Sequence, residues 1–345
     1  MNIFDTRTML GMIKKAEFAP TTFLRDRYFS NVVNFDTAKV DIDIVDANGR
    51  TLAPFVNPKV GGKVVPRSGY QTNTYEAPEL SPYMVTTAED LLKRLPGEEL
   101  YSEYSPEQRA SLQLGKDLRD LDEIITAREE AMCAEALFTG QVTIKGEGYD
   151  EVISYWDANT SAQPKTTLST LWSATNADVL ADLRTIRREI VKKSGISPTE
   201  IVCGADVIDA LLTNSKVAEQ LNTRRADLGL IKIDDLPNGV TYYGYFGGLD
   251  IYGYDSWYKN DEGDDVPYVP ADTFLMGSPN VKTVMAYGCC AIVDEINDKI
   301  SMYAEKRVPT SWSQRMNPTG RIVQIKSRPL PVINQVNGFH VVKAL

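Results

Sequence analysis

The sequence has a single histidine, four cysteines and no apolar run long enough to span a bilayer. Each shortage removes a class of function. Nucleophilic catalysis of the Ser-His or Cys-His kind needs a histidine placed to move a proton, and His340 sits in an alternating strand-like stretch near the end of the chain, where a structural role is expected. Cys133, Cys203, Cys289 and Cys290 form no C-x-x-C motif, and the adjacent pair cannot close a relaxed disulfide with itself. Reduced, buried cysteines are expected, which suits a cytoplasmic origin. The opening "MNIFDTRTMLGMIKKAEF" scatters charges through its apolar residues, unlike a signal peptide. Neither a G-x-S-x-G elbow nor a G-x-x-x-x-G-K-[ST] phosphate loop occurs, and no repeat of 20–50 residues is evident. A formal net charge of −10 is not the footprint of a protein that grips nucleic acid.

What is present reads as an α+β chain of 345 residues, long enough for one large domain or two ordinary ones. Residues 1–35 form an arm with a short helical patch and aromatic residues that need something to lie against. "AKVDIDIV" alternates at period two and is followed by Asn48-Gly49, a hairpin signal. An extended two-stranded excursion is expected over about 39–82. Within it, "FVNPKVGGKVVPRSGYQTNTYEAP" has too few large apolar residues to bury itself. Long structureless segments inside compact domains are usually functional or disordered.

The clearest helix follows. Ser105 is the cap, Pro106 suits the first turn, Gln108 completes a capping box and Gly140 ends it. Leu114, Leu118, Leu121, Ile125 and Met132 fall on one face at spacings of four, three, four and seven. "QVTIKGEGYDEVISYW" reads as a hairpin and "DANTSAQPKTTLST" as a loop between modules. A second module over about 171–277 begins with a helix capped by Thr175 or Asn176 and stopped by Gly195. It continues through "TEIVCG", two short helices and an aromatic, glycine-broken strand region. The remaining strands, ending in "GFHVVKAL", are expected to return to the long helix.

Candidate sites have plain alternatives. Asp261, Glu262, Asp264 and Asp265 could offer oxygen ligands, but their spacing is not that of a calcium loop and a solvated hairpin tip is expected. Glu129 and Glu130 could be an acid–base pair, but consecutive helical residues diverge and a solvated face is expected. Arg224 and Arg225 either pair with a neighbouring molecule or complement a helix dipole. No cofactor or metal is called for.

Six stretches together resemble a known family: "FVNPKVGGKVVPRSG", "LKRLPGEE", "LFTGQVTIKGEGYDE", "KVAEQLNTRR", "MAYGCC" and "RIVQIKSRPLPVI". In this order they are similar to the major capsid proteins of lambda-type tailed phages. The resemblance implies the tailed-phage capsid (Johnson) fold, with an N-terminal arm (1–35) and an extended loop (36–82). A peripheral domain with a spine helix would follow in two parts (83–170 and 278–345), around an axial domain (171–277). It implies a structural protein that is not an enzyme, assembling as hexamers and pentamers into an icosahedral shell around double-stranded DNA. Separate scaffolding, portal and decoration proteins would be its partners, with no membrane involved and no cross-linking motif evident. Phe55, Lys59, Lys63, Arg67, Tyr70 and Tyr75 of the extended loop would lie across an adjacent subunit, and Arg224 and Arg225 could form inter-subunit ion pairs. The alternatives are an encapsulin-like nanocompartment shell, a carboxylate-based α/β enzyme and a monomeric peptide-binding module.

Overall fold

The computed structural model describes residues 4, 6–15, 22–37, 39–45, 70–93, 104–146, 149–155, 165–174, 176–221, 229–237, 239–293, 300–315 and 319–345. Its helices are α1 (Thr6–Lys15), α2 (Leu24–Tyr28), α3 (Ala88–Leu92), α4 (Pro106–Thr139), α5 (Val179–Ser194), α6 (Ala205–Thr213) and α7 (Ser215–Leu221). The strands are mostly antiparallel, and the protein is α+β.

Helix α4 organises the molecule. Ser105 Oγ accepts the Gln108 amide at 3.3 Å while Gln108 Oε1 accepts the Ser105 amide at 2.9 Å, the reciprocal cap that the local sequence foretold. At the far end Gly140 takes φ 72°, in the left-handed region, and its N–H returns to the Ala136 carbonyl at 3.1 Å. Between the caps run 34 residues, about 50 Å of helix. Its first half buries Leu114, Leu118, Leu121 and Ile125 against Met9 of α1 and against Val323 and Ile325 of the sheet formed by Val308–Gln314, Gly320–Lys326 and Tyr83–Thr87. Its second half enters a larger central core with Leu24, Tyr28 and Phe29 of the arm and Leu330 and Val332.

The other core lies on a seven-stranded sheet with the order Lys165–Thr167, His340–Lys343, Thr273–Gly277, Glu200–Cys203, Leu249–Tyr254, Val240–Phe246, Gly229–Leu236. Helices α5, α6 and α7 cover one face, with Leu183, Ile186, Val207 and Leu211 packed on Ile201, Phe274, Met276 and Val342. The alternate residues Val202, Leu275 and Val341 point the other way, into the central core. Gly247 and Gly248, at φ 62° and 79°, make the tight turn between Val240–Phe246 and Leu249–Tyr254; a type I′ hairpin turn requires positive φ at both positions.

The structure corrects three local expectations. The final strand does not return to the long helix. It lies inside the seven-stranded sheet, antiparallel to Thr273–Gly277 and parallel to Lys165–Thr167. Val341 and Val342 bury into opposite cores, which only a strand covered on both faces can do. Lys165–Thr167, read as loop, is a strand because that neighbour supplies its ladder; three residues carry no period of their own. The cap of α5 is Asp178, whose Oδ1 accepts the Ala181 amide at 3.1 Å, rather than Thr175 or Asn176. The extended excursion is two-stranded as expected: Lys39–Val45 pairs with Tyr70–Glu76, with Val45 opposite Tyr70. The Asn48-Gly49 turn lies outside the described residues. Gln141–Gly146 and Tyr149–Ser154 form the expected hairpin.

Candidate functional site

The densest polar chemistry is buried where the arm crosses α4. Asp122, Thr126, Glu129 and Glu130 lie at spacings of four, three and one, which places them along one side of the helix. The expected solvated face is overturned: Glu129 and Glu130 are 0% and 1% exposed.

The two glutamates diverge as neighbours on a helix must. Glu130 faces the start of α2, where Oε1 accepts the amides of Phe23 at 3.1 Å and Leu24 at 2.8 Å, and Oε2 accepts the Arg25 amide at 3.0 Å. The Tyr254 hydroxyl donates to Oε1 at 3.1 Å. One carboxylate thereby occupies the free N–H groups that a helix start always leaves over. Glu129 faces two guanidinium groups, accepting from Arg25 Nη1 at 2.8 Å and from Arg307 Nη1 at 2.6 Å. Arg307 reaches further along α4, donating from Nε to Asp122 at 2.5 Å and from Nη2 to Thr126 at 3.1 Å, and it also donates to Ser327 Oγ at 3.2 Å.

Burial alone would raise both carboxyls. At Glu129 the opposing pull of Arg307, joined by Lys306 and Arg25, leaves the group below its ordinary value. At Glu130 burial dominates and the group is raised despite its N–H donors. Lys306 is lowered by burial. Burial also acts against the charge on Arg307, but Glu129 and Asp122 hold it more firmly protonated than usual.

A second clasp joins the arm to the seven-stranded sheet. Arg27 donates from Nε to both carboxylate oxygens of the buried Glu200 at 2.9 Å, pairs with it again through Nη2, and donates to the Tyr252 hydroxyl at 2.9 Å. Its guanidinium lies 4.4 Å from the Tyr252 ring centre. Phe23 sits between Tyr252 and Tyr254, at 5.5 and 5.6 Å between ring centres. The rings continue to Tyr242 on one side and to Tyr268 and Tyr258 on the other. Residues 23–27 are therefore fastened to the long helix and the sheet at once.

This arrangement holds backbone and does no acid–base work, since the carboxylates are sealed from solvent and their oxygens are occupied by arginine and amide donors. His340 is likewise buried, with Nε2 2.8 Å from Thr166 Oγ1, and burial lowers its basicity. Among the described residues no group of His, Cys, Asp or Glu could hold a metal ion. The acidic tip is a hairpin end whose Asn260 Oδ1 accepts the amides of Glu262 and Asp264 at 3.0 and 2.8 Å, while Asp261 pairs with Arg128 of α4. The four cysteines are free thiols; burial, with Glu79 nearby, pushes Cys290 up to about 11.

Of the residues singled out from sequence for contact with other subunits, Phe55, Lys59, Lys63, Arg67, Arg224 and Arg225 lie outside the described residues. Tyr70 ends the ribbon opposite Val45. Tyr75 is turned to its own chain: its hydroxyl donates to the Ser154 carbonyl at 2.9 Å and its ring packs on the central core. Arg25, Arg27, Glu200 and Arg307 were missed. A signal for Glu129 did exist, because the seven-residue step from Ile125 to Met132 skips a place in the apolar stripe, and Glu129 fills it.

The comparisons fit this architecture. Residues 5–344 match the family model described as phage major capsid protein E. The chain is 25% identical over 347 residues to the P21 prophage-derived major head protein of Escherichia coli O6:H1 strain CFT073, covering 99% of both. It is 26% identical over 345 residues to the major capsid protein of Escherichia phage lambda, covering 98% of both. Among solved structures, a candidate capsid protein of a prophage in E. coli CFT073 superposes with a TM-score of 0.72 at 18% identity over 99% of both chains. A phage-related protein from Bordetella bronchiseptica RB50 gives 0.57 at 12% identity, over 97% of this chain and 95% of the other. With a family match across nearly its whole length, the chain belongs to the phage major capsid protein E family, whose members are structural subunits of the virion's head shell and not enzymes.

Proposed function

We propose that this subunit assembles as hexamers and pentamers into a closed icosahedral head that encloses double-stranded DNA without reading its sequence, and that assembly takes place in the host cytoplasm. In this reading 1–35 is the arm and 36–82 the extended loop. Residues 171–277 form the axial domain, whose sheet is completed by Lys165–Thr167 and His340–Lys343, and the rest of 83–170 and 278–345 form the peripheral domain. Separate scaffolding, portal and decoration proteins complete the head. The observation that carries the reading is the ribbon. Among the described residues Lys39–Val45 and Tyr70–Glu76 pair only with each other, and they delimit a connection whose sequence of prolines, glycines and basic residues has too few large apolar side chains to bury itself. Such a segment gains stability by lying on another molecule, and Phe55, Lys59, Lys63, Arg67 and Tyr70 are the residues that would make that contact. Arg224 and Arg225 would pair with carboxylates of a neighbour. A shell multiplies such modest contacts across its copies.

The test replaces residues 46–69 by a short Gly-Ser linker. Since Val45 and Tyr70 are already paired at the ribbon's end, the linker closes it as a simple hairpin. Light scattering and negative-stain microscopy should show capsomers or shells for the natural chain and a folded single subunit for the variant. Shells from the variant at the natural threshold would rule out the loop as an inter-subunit clamp.

A further inference from the structure

The hairpin of Cys290–Val293 and Ile300–Tyr303 is apolar on its outer face and, apart from Ser301 opposite Ile292, on its inner face as well. Cys290 and Ile292, with Tyr303 packed beside them, bury against Val308 in a small core of their own. The outer face carries the cross-strand pairs Ala291 with Met302 and Val293 with Ile300. Val293, Ile300 and Met302 are 61%, 71% and 74% exposed. An antiparallel sheet that faces water ordinarily puts polar residues there, and a two-stranded hairpin is marginal without cover.

We propose that this outer face is a contact between copies of this chain, made against an apolar surface of the neighbouring subunit; the proposal rests on the assembly reading given above. Two properties of the face select that occupant. None of its four side chains carries a charge or a hydrogen-bonding group, so it offers nothing to phosphate or to a charged partner. Its size is the second. Four such side chains present on the order of a few hundred Å², the size of the largest patch on an ordinary single subunit and often a functional one, yet well short of the ~800 Å² per partner that a stable pair buries. A patch of that size cannot hold two subunits together in solution. It contributes once other contacts have placed many copies side by side, as subunits of a shell are placed.

The experiment introduces Met302→Cys in a Cys289→Ser background, which removes the half-buried native thiol, and follows maleimide labelling of dispersed subunits and of shells formed from the purified chain. The introduced thiol should react about tenfold more slowly in shells than in dispersed subunits. Equal rates would overturn the proposal, as would protection that appears only after a different virion protein is added. A second variant, Ile300→Ser with Met302→Ser, should keep the natural thermal midpoint while raising the concentration threshold for shells about tenfold. An unchanged threshold would also overturn it. Failure of the natural chain to form shells would instead sink the assembly reading, and this proposal with it.

Discussion

Glu129 and Glu130 are adjacent in sequence and are shifted in opposite directions. Glu129 is held below its ordinary value of 4.5, so the stability it contributes is fully present above that pH and is lost as pH falls through its lowered folded value. Glu130 is raised, so its contribution runs the other way and partly offsets the loss. Glu129→Gln leaves Arg25 and Arg307 without their shared counter-charge in a buried site. The expected cost at neutral pH is about 3 kcal/mol, the low end for breaking a buried pair. The variant should then lose less of its remaining stability than the natural chain on acidification, because one proton-linked group is gone. Urea titrations from neutral pH down through the carboxylate range measure both effects, and a parallel pH dependence would show that Glu129 is not the linked group. The skipped place in the apolar stripe marks Glu129 as inward-facing, but its partners could not be read from the sequence around it, because they lie 104 and 178 residues away. Local rules saw two charges on a helix and placed them in water; distant arginines reverse that outcome by satisfying them in the core.

At the scale of elements, α2 has five residues, far too few to persist alone when an isolated helix needs about 12–15. It exists because Glu130 takes its first amides and Leu24 and Tyr28 bury beside α4. In Glu130→Leu the amides of Phe23, Leu24 and Arg25 should lose hydrogen-exchange protection, while the interior of α4, with its own caps, stays protected. Retained protection in the arm would mean that apolar packing alone holds it. Legibility follows the same division. The bounds of α4 were readable because Ser105, Pro106, Gln108 and Gly140 act within a turn of themselves. The ribbon and the hairpin after α4 were readable from alternation and turn residues. Helix α2 and the strand Lys165–Thr167 were not, since each is made by its partner rather than by its own residues.

For the whole molecule, the decisive feature is a sheet shared by two cores. His340–Lys343 completes it, sending Val341 to one side and Val342 to the other. Ending the chain after Phe339 removes two buried valines, at about 1.5–3 kcal/mol each, together with the ladder on both neighbours. The expected loss of about 5 kcal/mol or more is comparable with the entire stability of an ordinary domain. Both cores should therefore loosen together, reported by near-ultraviolet circular dichroism and by the fluorescence of the buried Trp172, which stacks on Phe274 of that sheet. A truncated chain that keeps a native Trp172 signal would contradict the shared-sheet account. The clasp of Arg25, Arg27 and Arg307 has a consequence of another kind. Oily surfaces tolerate a small slip, whereas a guanidinium fitted between two carboxylates works in one position only. A closed container repeats the tilt of its building block at every step around its circumference, and a slight error in each would accumulate until the rim failed to meet. Fixing the arm with charge pairs holds it in one place against its own helix and sheet, and a container made of many copies calls for blocks of one shape.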